Sequence, residues 1–120
     1  MKIVFISHPI SGDVNGNLMK IKNIVRNINL KNKELVPFVP YYADCIALND
    51  TIPAERNRGL KNIEELFKRK IIDEVWLCGD KISRGMIKEI KLVQKYNIPV
   101  YPTSSKMLLL MEKLIAKGKT

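Results

Sequence analysis

Short apolar runs alternate with helical patterns along the whole chain, and this alternation limits the possible fold more than any other feature. Four runs are typical of strands, and they span about 2–7, 35–39, 74–78 and 98–101. Helix-spaced apolar residues fill the intervals between them. Because strands that alternate with helices form βαβ units around a parallel sheet, the sequence predicts an α/β protein.

Four helices are predicted between and after the strands. The second begins near Thr51 and Pro53, since proline fits a first helical turn, the third spans about 83–96, and the last spans about 104–116. The stretch 41–52 is predicted to be a long irregular connection, of the kind that often forms a lid or a binding loop. The inward-facing residues are predicted to be Leu18, Ile21, Val25 and Ile28 in the first helix, Ile63, Leu66 and Phe67 in the second, and Met86, Ile90 and Val93 in the third.

The order of the strands determines where a site can lie. The 120 residues are expected to form one domain, and right-handed crossovers favour a doubly wound sheet of order 2-1-3-4 with helices on both faces. The order in which the strands are added to the sheet then reverses between the first and third strands. We therefore expect the loops 8–16 and 79–85 to be the two walls of one crevice.

Composition excludes several classes of function. The net charge of +9 comes from 21 Lys and Arg against 12 Asp and Glu, but the basic residues are scattered over every helix and no aromatic residues are interleaved with them. Nucleic-acid binding is therefore not favoured, whereas an attraction for anionic small molecules is. The single histidine excludes a His-rich zinc site, and neither a metal nor a cofactor is predicted.

The chain is expected to be soluble and cytoplasmic, and to form oligomers. Its two cysteines, Cys45 and Cys78, lie far apart without a C-x-x-C motif, and no segment is long enough to span a membrane. The last helix carries Met107-Leu-Leu-Leu-Met111 and is apolar around most of its circumference. A helix of this kind is either deeply buried or meets another subunit, and we expect a homodimer or a larger assembly through it.

The first wall of the crevice is rich in small and polar residues. It contains His8, Pro9, Ile10, Ser11 and Gly12, and its backbone N–H groups can hold a phosphate. It is neither a Walker loop nor a G-x-G-x-x-G motif, so P-loop and dinucleotide interpretations are not supported. A polar turn that needs glycine for its backbone angles explains the same residues without a ligand.

The second wall begins a helix and carries an acid. Asp80, Ser83, Gly85 and Met86 lead to Glu89, so that Ser83 lies at the N-cap and Glu89 within the first two turns. Glu89 is predicted on the side of Met86, where a carboxylate is either paired with a cation or kept for function. A functional carboxylate here is a nucleophile or general base at a sugar carbon, as in glycosyl transfer. Ser83 either binds a ligand or only caps the helix.

These motifs together resemble the nucleoside 2-deoxyribosyltransferase superfamily, and most of all its small bacterial and phage members. The resemblance spans nearly the whole chain. It rests on Ile3-Val-Phe-Ile-Ser-His-Pro-Ile-Ser-Gly12, on Asp73-Glu-Val-Trp-Leu-Cys-Gly79, on Ser83-x-Gly85-x-x-x-Glu89 and on Asn97-Ile-Pro-Val100.

The resemblance implies a flavodoxin-like fold, oligomers with sites near subunit interfaces, and exchange or hydrolysis of N-glycosidic bonds in nucleosides or their monophosphates. The family's glutamate nucleophile falls on Glu89, and its first-loop ligand contacts fall on 8–12. Two positions depart from the pattern of the transferases. By this resemblance, the transferases carry Tyr at the position of Phe5 and Asp at the position of Ser83. In having serine at position 83, the chain is similar to the nucleotide hydrolase branch of the superfamily.

Three hypotheses follow. In the first, the chain is an enzyme in which Glu89 attacks the anomeric carbon of a nucleoside or nucleotide. In the second, it is a non-catalytic nucleotide-binding module, because no second acid is evident to protonate the leaving base. In the third, its lysine-rich faces bind nucleic acid, with an affinity that falls steeply as salt is added.

Overall fold

The protein contains one four-stranded parallel sheet. The computed structural model describes residues 1–118. The strands are β1 (Lys2–Ser7), β2 (Leu35–Phe38), β3 (Glu74–Leu77) and β4 (Val100–Pro102), in the spatial order β2-β1-β3-β4. All three strand pairs are parallel. The predicted α/β class and the doubly wound, flavodoxin-like order 2-1-3-4 are therefore confirmed.

Within residues 1–118, five helices surround the sheet. They are α1 (Val14–Lys31), α2 (Tyr41–Ala47), α3 (Pro53–Lys68), α4 (Arg84–Lys95) and α5 (Ser105–Gly118). The start of α4 follows from its sequence, because the Ser83 side chain accepts a hydrogen bond from the backbone N–H of Met86 and so caps the first turn. Helix α3 begins with Pro53 in its first turn, as predicted.

Strand β4 begins two residues later than the predicted Ile98, at Val100. The reason is the end of α4. Asn97 has a φ of +55°, the N–H of Asn97 bonds to the carbonyl of Gln94, and the N–H of Ile98 bonds to that of Val93. This pair of bonds is a Schellman motif, which assigns Ile98 to the helix terminus rather than to the strand.

The prediction of an irregular connection over 41–52 is wrong for its first seven residues, which form α2. A helix this short is unstable alone in water, so tertiary contacts must support it. Tyr41 provides them. Its side chain is buried in the core, and its hydroxyl donates a hydrogen bond of 2.5 Å to the carbonyl of Ile6 in β1.

The buried side chains form two clusters, as the alternation of side chains along a strand requires. Phe5, Val75 and Leu77 face α3 and α4, where the predicted inward residues Ile63, Phe67, Met86, Ile90 and Val93 are all buried. Val4 and Ile6 face the other side of the sheet and pack with Ile28 of α1. Helices therefore cover both faces, and their packing fixes the ends of β1 and β3, where the site lies.

Helix α5 is only partly covered. Met107 is fully buried, but Leu108, Leu109 and Ile115 are 42%, 53% and 38% exposed. The homo-oligomer expected from this helix stays a prediction. Among residues 1–118, no helix combines the length and the apolar character needed to cross a membrane.

A shallow groove lies over β3 and β4, on the side of the sheet opposite Val75 and Leu77. It has a volume of about 490 Å³ and is lined by Glu74, Trp76, Tyr101, Pro102 and Thr103. The Trp76 indole N–H donates a hydrogen bond of 2.9 Å to the Glu74 carboxylate, which also lies 3.6 Å from the Lys2 ammonium.

Candidate functional site

A cavity of about 650 Å³ opens at the carboxyl ends of β1 and β3. The loop after β1 contributes His8, Ile10 and Ser11 to its wall, and α4 with the preceding loop contributes Ser83 and Glu89 among others. Helices α2 and α3 close the opposite side. This is the edge at which open α/β sheets bind ligands, next to the point where the strand order reverses.

The two predicted walls touch each other at Gly79. This residue has a φ of +93°, and a Cβ atom placed on it would lie 2.8 Å from Cδ of Pro9 and 3.4 Å from Nε2 of His8. Only glycine allows both this backbone angle and this approach. The absence of a side chain at Gly79 therefore lets the loop after β3 pack directly against the loop after β1.

Glu89 lies in the second turn of α4 and forms part of the cavity wall. Its Oε1 accepts a hydrogen bond of 2.6 Å from the hydroxyl of Ser7, the last residue of β1. Burial raises the pKa of the Glu89 carboxyl from 4.5 to about 7, and the hydrogen bond from Ser7 opposes this rise by stabilising the carboxylate. Near neutral pH, Glu89 is therefore present in both protonation states.

Ser7 is a site residue that sequence reasoning missed. It is fully buried at the end of an otherwise apolar strand, and it lies two residues after Phe5, so both side chains point to the face covered by α4. A hydroxyl at such a position needs a partner, and the partner lies 82 residues away at Glu89. The sequence signal that could have identified Ser7 is a polar residue at the end of the apolar run of β1.

Tyr41 places a hydroxyl at this end of the sheet, beside the ring of Phe5. Phe5 is fully buried, and its ring centroid lies 5.7 Å from that of Tyr41 and 5.1 Å from that of Phe67. Phe5 therefore belongs to the core, whereas Tyr41 lines the cavity. Burial raises the pKa of Tyr41 well above its usual value, and the charge of Glu89 raises it further.

Charged side chains of both signs line the cavity. Lys81, Arg84 and Lys88 belong to α4 and the loop that precedes it, whereas Asp44 and Asp50 belong to α2 and the loop that follows it. Cys45 lies near the two aspartates: burial, then Asp50, Asp44 and finally Glu89 raise the pKa of its thiol to about 11. A thiol with so high a pKa is not a nucleophile at neutral pH.

The structure brings most of the predicted site residues together. His8, Ile10, Ser11, Ser83, Gly85, Met86 and Glu89 line the cavity, as do Arg56 and Arg84. Three predicted binding residues do not line it: Pro9 is buried against Gly79, Gly12 faces open space, and Asp80 is exposed. Within residues 1–118, no three His, Cys, Asp or Glu side chains are grouped so that they could hold a metal ion.

Comparison with known proteins gives a family for this chain. No curated protein and no solved structure matches it. One family model, described as a domain of unknown function (DUF7768), matches residues 2–102. The matched range includes the whole sheet, both loops of the cavity and α4. The chain therefore belongs to the DUF7768 family.

Proposed function

We propose that this protein cleaves or exchanges the N-glycosidic bond of a nucleoside or nucleotide, with Glu89 as the nucleophile at the anomeric carbon. One observation carries the proposal: a glutamate carboxyl in a cavity wall is fixed by a buried serine and paired with no cation that the structure describes. A carboxylate that only stabilised the fold would gain more from a neighbouring Lys or Arg.

The protonation behaviour of Glu89 suits this role. The ionised carboxylate is the attacking form, and a pKa of about 7 means that this form is available at neutral pH. The hydroxyl of Ser7 holds Oε1, so Oε2 is the oxygen that is free to attack. Burial also weakens the hydration of the carboxylate, and a less hydrated carboxylate attacks more readily.

The start of α4 supports the binding of the sugar or its phosphate. The first N–H groups of a helix favour an anion, and Lys81 and Arg84 add positive charge to the same part of the cavity. The Ser83 oxygen already accepts the N–H of Met86, which leaves its hydroxyl proton free for a ligand. A phosphate bound there would place the sugar beside Glu89.

The test is the release of free base from a panel of ribo- and deoxyribonucleosides and their monophosphates, followed by chromatography. We expect base release by the wild type and none by Glu89→Gln. The matched control is Glu112→Gln, which makes the same change at an exposed position of α5. Equal turnover by the wild type and Glu89→Gln would contradict the proposal.

A second candidate is a nucleotide-binding module without catalysis. The observation that favours it is the same pKa of about 7, because a half-protonated carboxyl can donate as well as accept a hydrogen bond to a ligand. This candidate predicts that nucleotides raise the melting temperature of the wild type and are recovered unchanged after prolonged incubation. Released base would exclude it.

A further inference from the structure

The proposed reaction needs a proton for the leaving base, because a nucleobase anion leaves poorly from the anomeric carbon. We propose that His8 is the general acid that delivers this proton, from its Nε2 atom, to the base that leaves. This inference rests on the proposed function. It assigns a catalytic role to the residue that directly follows the positioning residue Ser7.

The His8 ring is held in one orientation. Its Nδ1 atom lies 2.7 Å from the carbonyl oxygen of Pro9, and only 6% of the residue is exposed. A carbonyl oxygen can only accept a hydrogen bond, so Nδ1 carries a proton in this arrangement. Nε2 is therefore the ring nitrogen that the Pro9 carbonyl does not engage, and it is a donor in an imidazolium and an acceptor in a neutral ring.

Nε2 is accessible rather than fully buried. Across the described residues 1–118, no fully buried side-chain nitrogen or oxygen lacks a hydrogen-bond partner. Nε2 makes no hydrogen bond within that part of the chain, so it is not fully buried. His8 is itself a lining residue of the cavity that contains Glu89. Nε2 is therefore an unpartnered and accessible atom of a residue that lines this cavity.

The phenol, the thiol and the guanidinium groups in the cavity wall are poorly suited to the task. The Tyr41 hydroxyl already donates to the carbonyl of Ile6, and burial raises its pKa well above the usual value. The Cys45 thiol has a pKa of about 11. Arginine does not lose its proton in proteins. An imidazole is the one side chain that ordinarily gains and loses a proton near neutral pH.

The reaction balances in two steps. The Glu89 carboxylate forms a bond to the anomeric carbon while the C–N bond breaks. The electron pair of the C–N bond leaves with the base, and the base takes the proton from Nε2. Neutral His8 then accepts a proton from water as that water attacks the anomeric carbon. The sugar–Glu89 bond breaks, and the carboxylate and the imidazolium are both restored. The net reaction consumes one water and releases free base and sugar.

The test compares two kinds of leaving base in His8→Gln. A purine nucleotide methylated at N7 carries a positive charge on its base, so the base leaves without needing a proton. For a pyrimidine substrate, a 5-fluoro base serves the same purpose because its anion is more stable. We expect His8→Gln to lose about 100-fold or more in kcat on the ordinary substrate, and only a few-fold on the activated one.

Controls separate the failure of this inference from that of the proposed function. Glu89→Gln should lose turnover of both substrates. A wild type that releases neither base would overturn both proposals. A wild type active on both, with an equal loss on both in His8→Gln, would overturn the role of His8 alone. If His8→Gln does not fold, as judged by circular dichroism, His8→Asn gives the same comparison, since its shorter amide can still donate to the Pro9 carbonyl.

Discussion

Replacing Glu89 with glutamine should stabilise the protein at alkaline pH. The buried carboxyl binds its proton more tightly in the folded state, where its pKa is about 7, than in the unfolded state, where its pKa is near 4.5. Between these two values the folded state binds more protons, so the stability of the wild type falls as the pH rises. Above pH 7 the whole penalty of burying the charge is present. Glutamine carries no charge and avoids it.

The magnitude follows from the interval between the two pKa values. Each tenfold change in proton affinity corresponds to about 1.4 kcal/mol, so the interval from 4.5 to about 7 corresponds to roughly 3 kcal/mol as an upper estimate. Glutamine can still accept the hydrogen bond from Ser7, and this contact is expected to survive. We expect Glu89→Gln to be about as stable as the wild type at pH 4.5 and more stable by up to ~3 kcal/mol at pH 8.

Urea unfolding at pH 4.5, 6, 7 and 8 measures this directly. The free energy of unfolding of Glu89→Gln minus that of the wild type should rise with pH and level off above 7. Glu112→Gln is exposed and should show no such rise. A difference that stays constant from pH 4.5 to pH 8 would refute the reasoning, as would a loss of stability in Glu89→Gln at pH 8.

Three further outcomes are expected. Ser7→Ala removes the hydrogen bond that lowers the pKa of Glu89, so the fall in stability with pH should extend above pH 7 in urea titrations. Gly79→Ala and Gly12→Ala both place a side chain at positive φ, at +93° and +96°, but only the first meets a neighbour. Gly12→Ala should therefore lose about 1–3 kcal/mol of unfolding free energy and Gly79→Ala more. If α5 mediates assembly, Leu109→Lys should lower the mass measured by light scattering.

Each of these outcomes has a control. Ser105→Ala removes a hydroxyl from the exposed first turn of α5 and should leave the pH dependence of stability unchanged. Equal losses in Gly79→Ala and Gly12→Ala would show that the contact between the two loops contributes nothing. Leu30→Lys changes a leucine of α1 that is 63% exposed, and it should not alter the mass. A wild type that is monomeric at high concentration would contradict the predicted homo-oligomer.

The sheet could be predicted because the local apolar patterns identify its strands and helices. Its strand order could be predicted because crossovers between parallel strands are right-handed. Strand β3 and helix α4 show this most clearly: a buried run is followed by glycine, an N-cap serine and apolar residues at helical spacing. Helix α2 could not be predicted in the same way. It has seven residues and no side-chain cap, and the contacts that support it, such as the Tyr41 hydroxyl on the Ile6 carbonyl, join distant parts of the chain.

The candidate site also has a part that local sequence predicts and a part that depends on tertiary packing. The position of Glu89 in the second turn of α4, beside Met86, follows from helical periodicity. Its partner Ser7 does not, because a hydrogen bond between residues 82 positions apart depends on how β1 and α4 are packed. The raised pKa of Glu89 also comes from burial, which depends on tertiary structure.

The groove over β3 and β4 determines which events the intrinsic fluorescence of this protein can detect. Trp76 is its only tryptophan, and it lies in that groove with its indole N–H on Glu74. The groove shares no lining residue with the cavity that contains Glu89. Intrinsic tryptophan fluorescence should therefore change when the protein unfolds or when another surface docks on β4. It should not change when a ligand enters the cavity. Ligand binding has to be followed by calorimetry, by thermal shift, or with a fluorophore placed near α2.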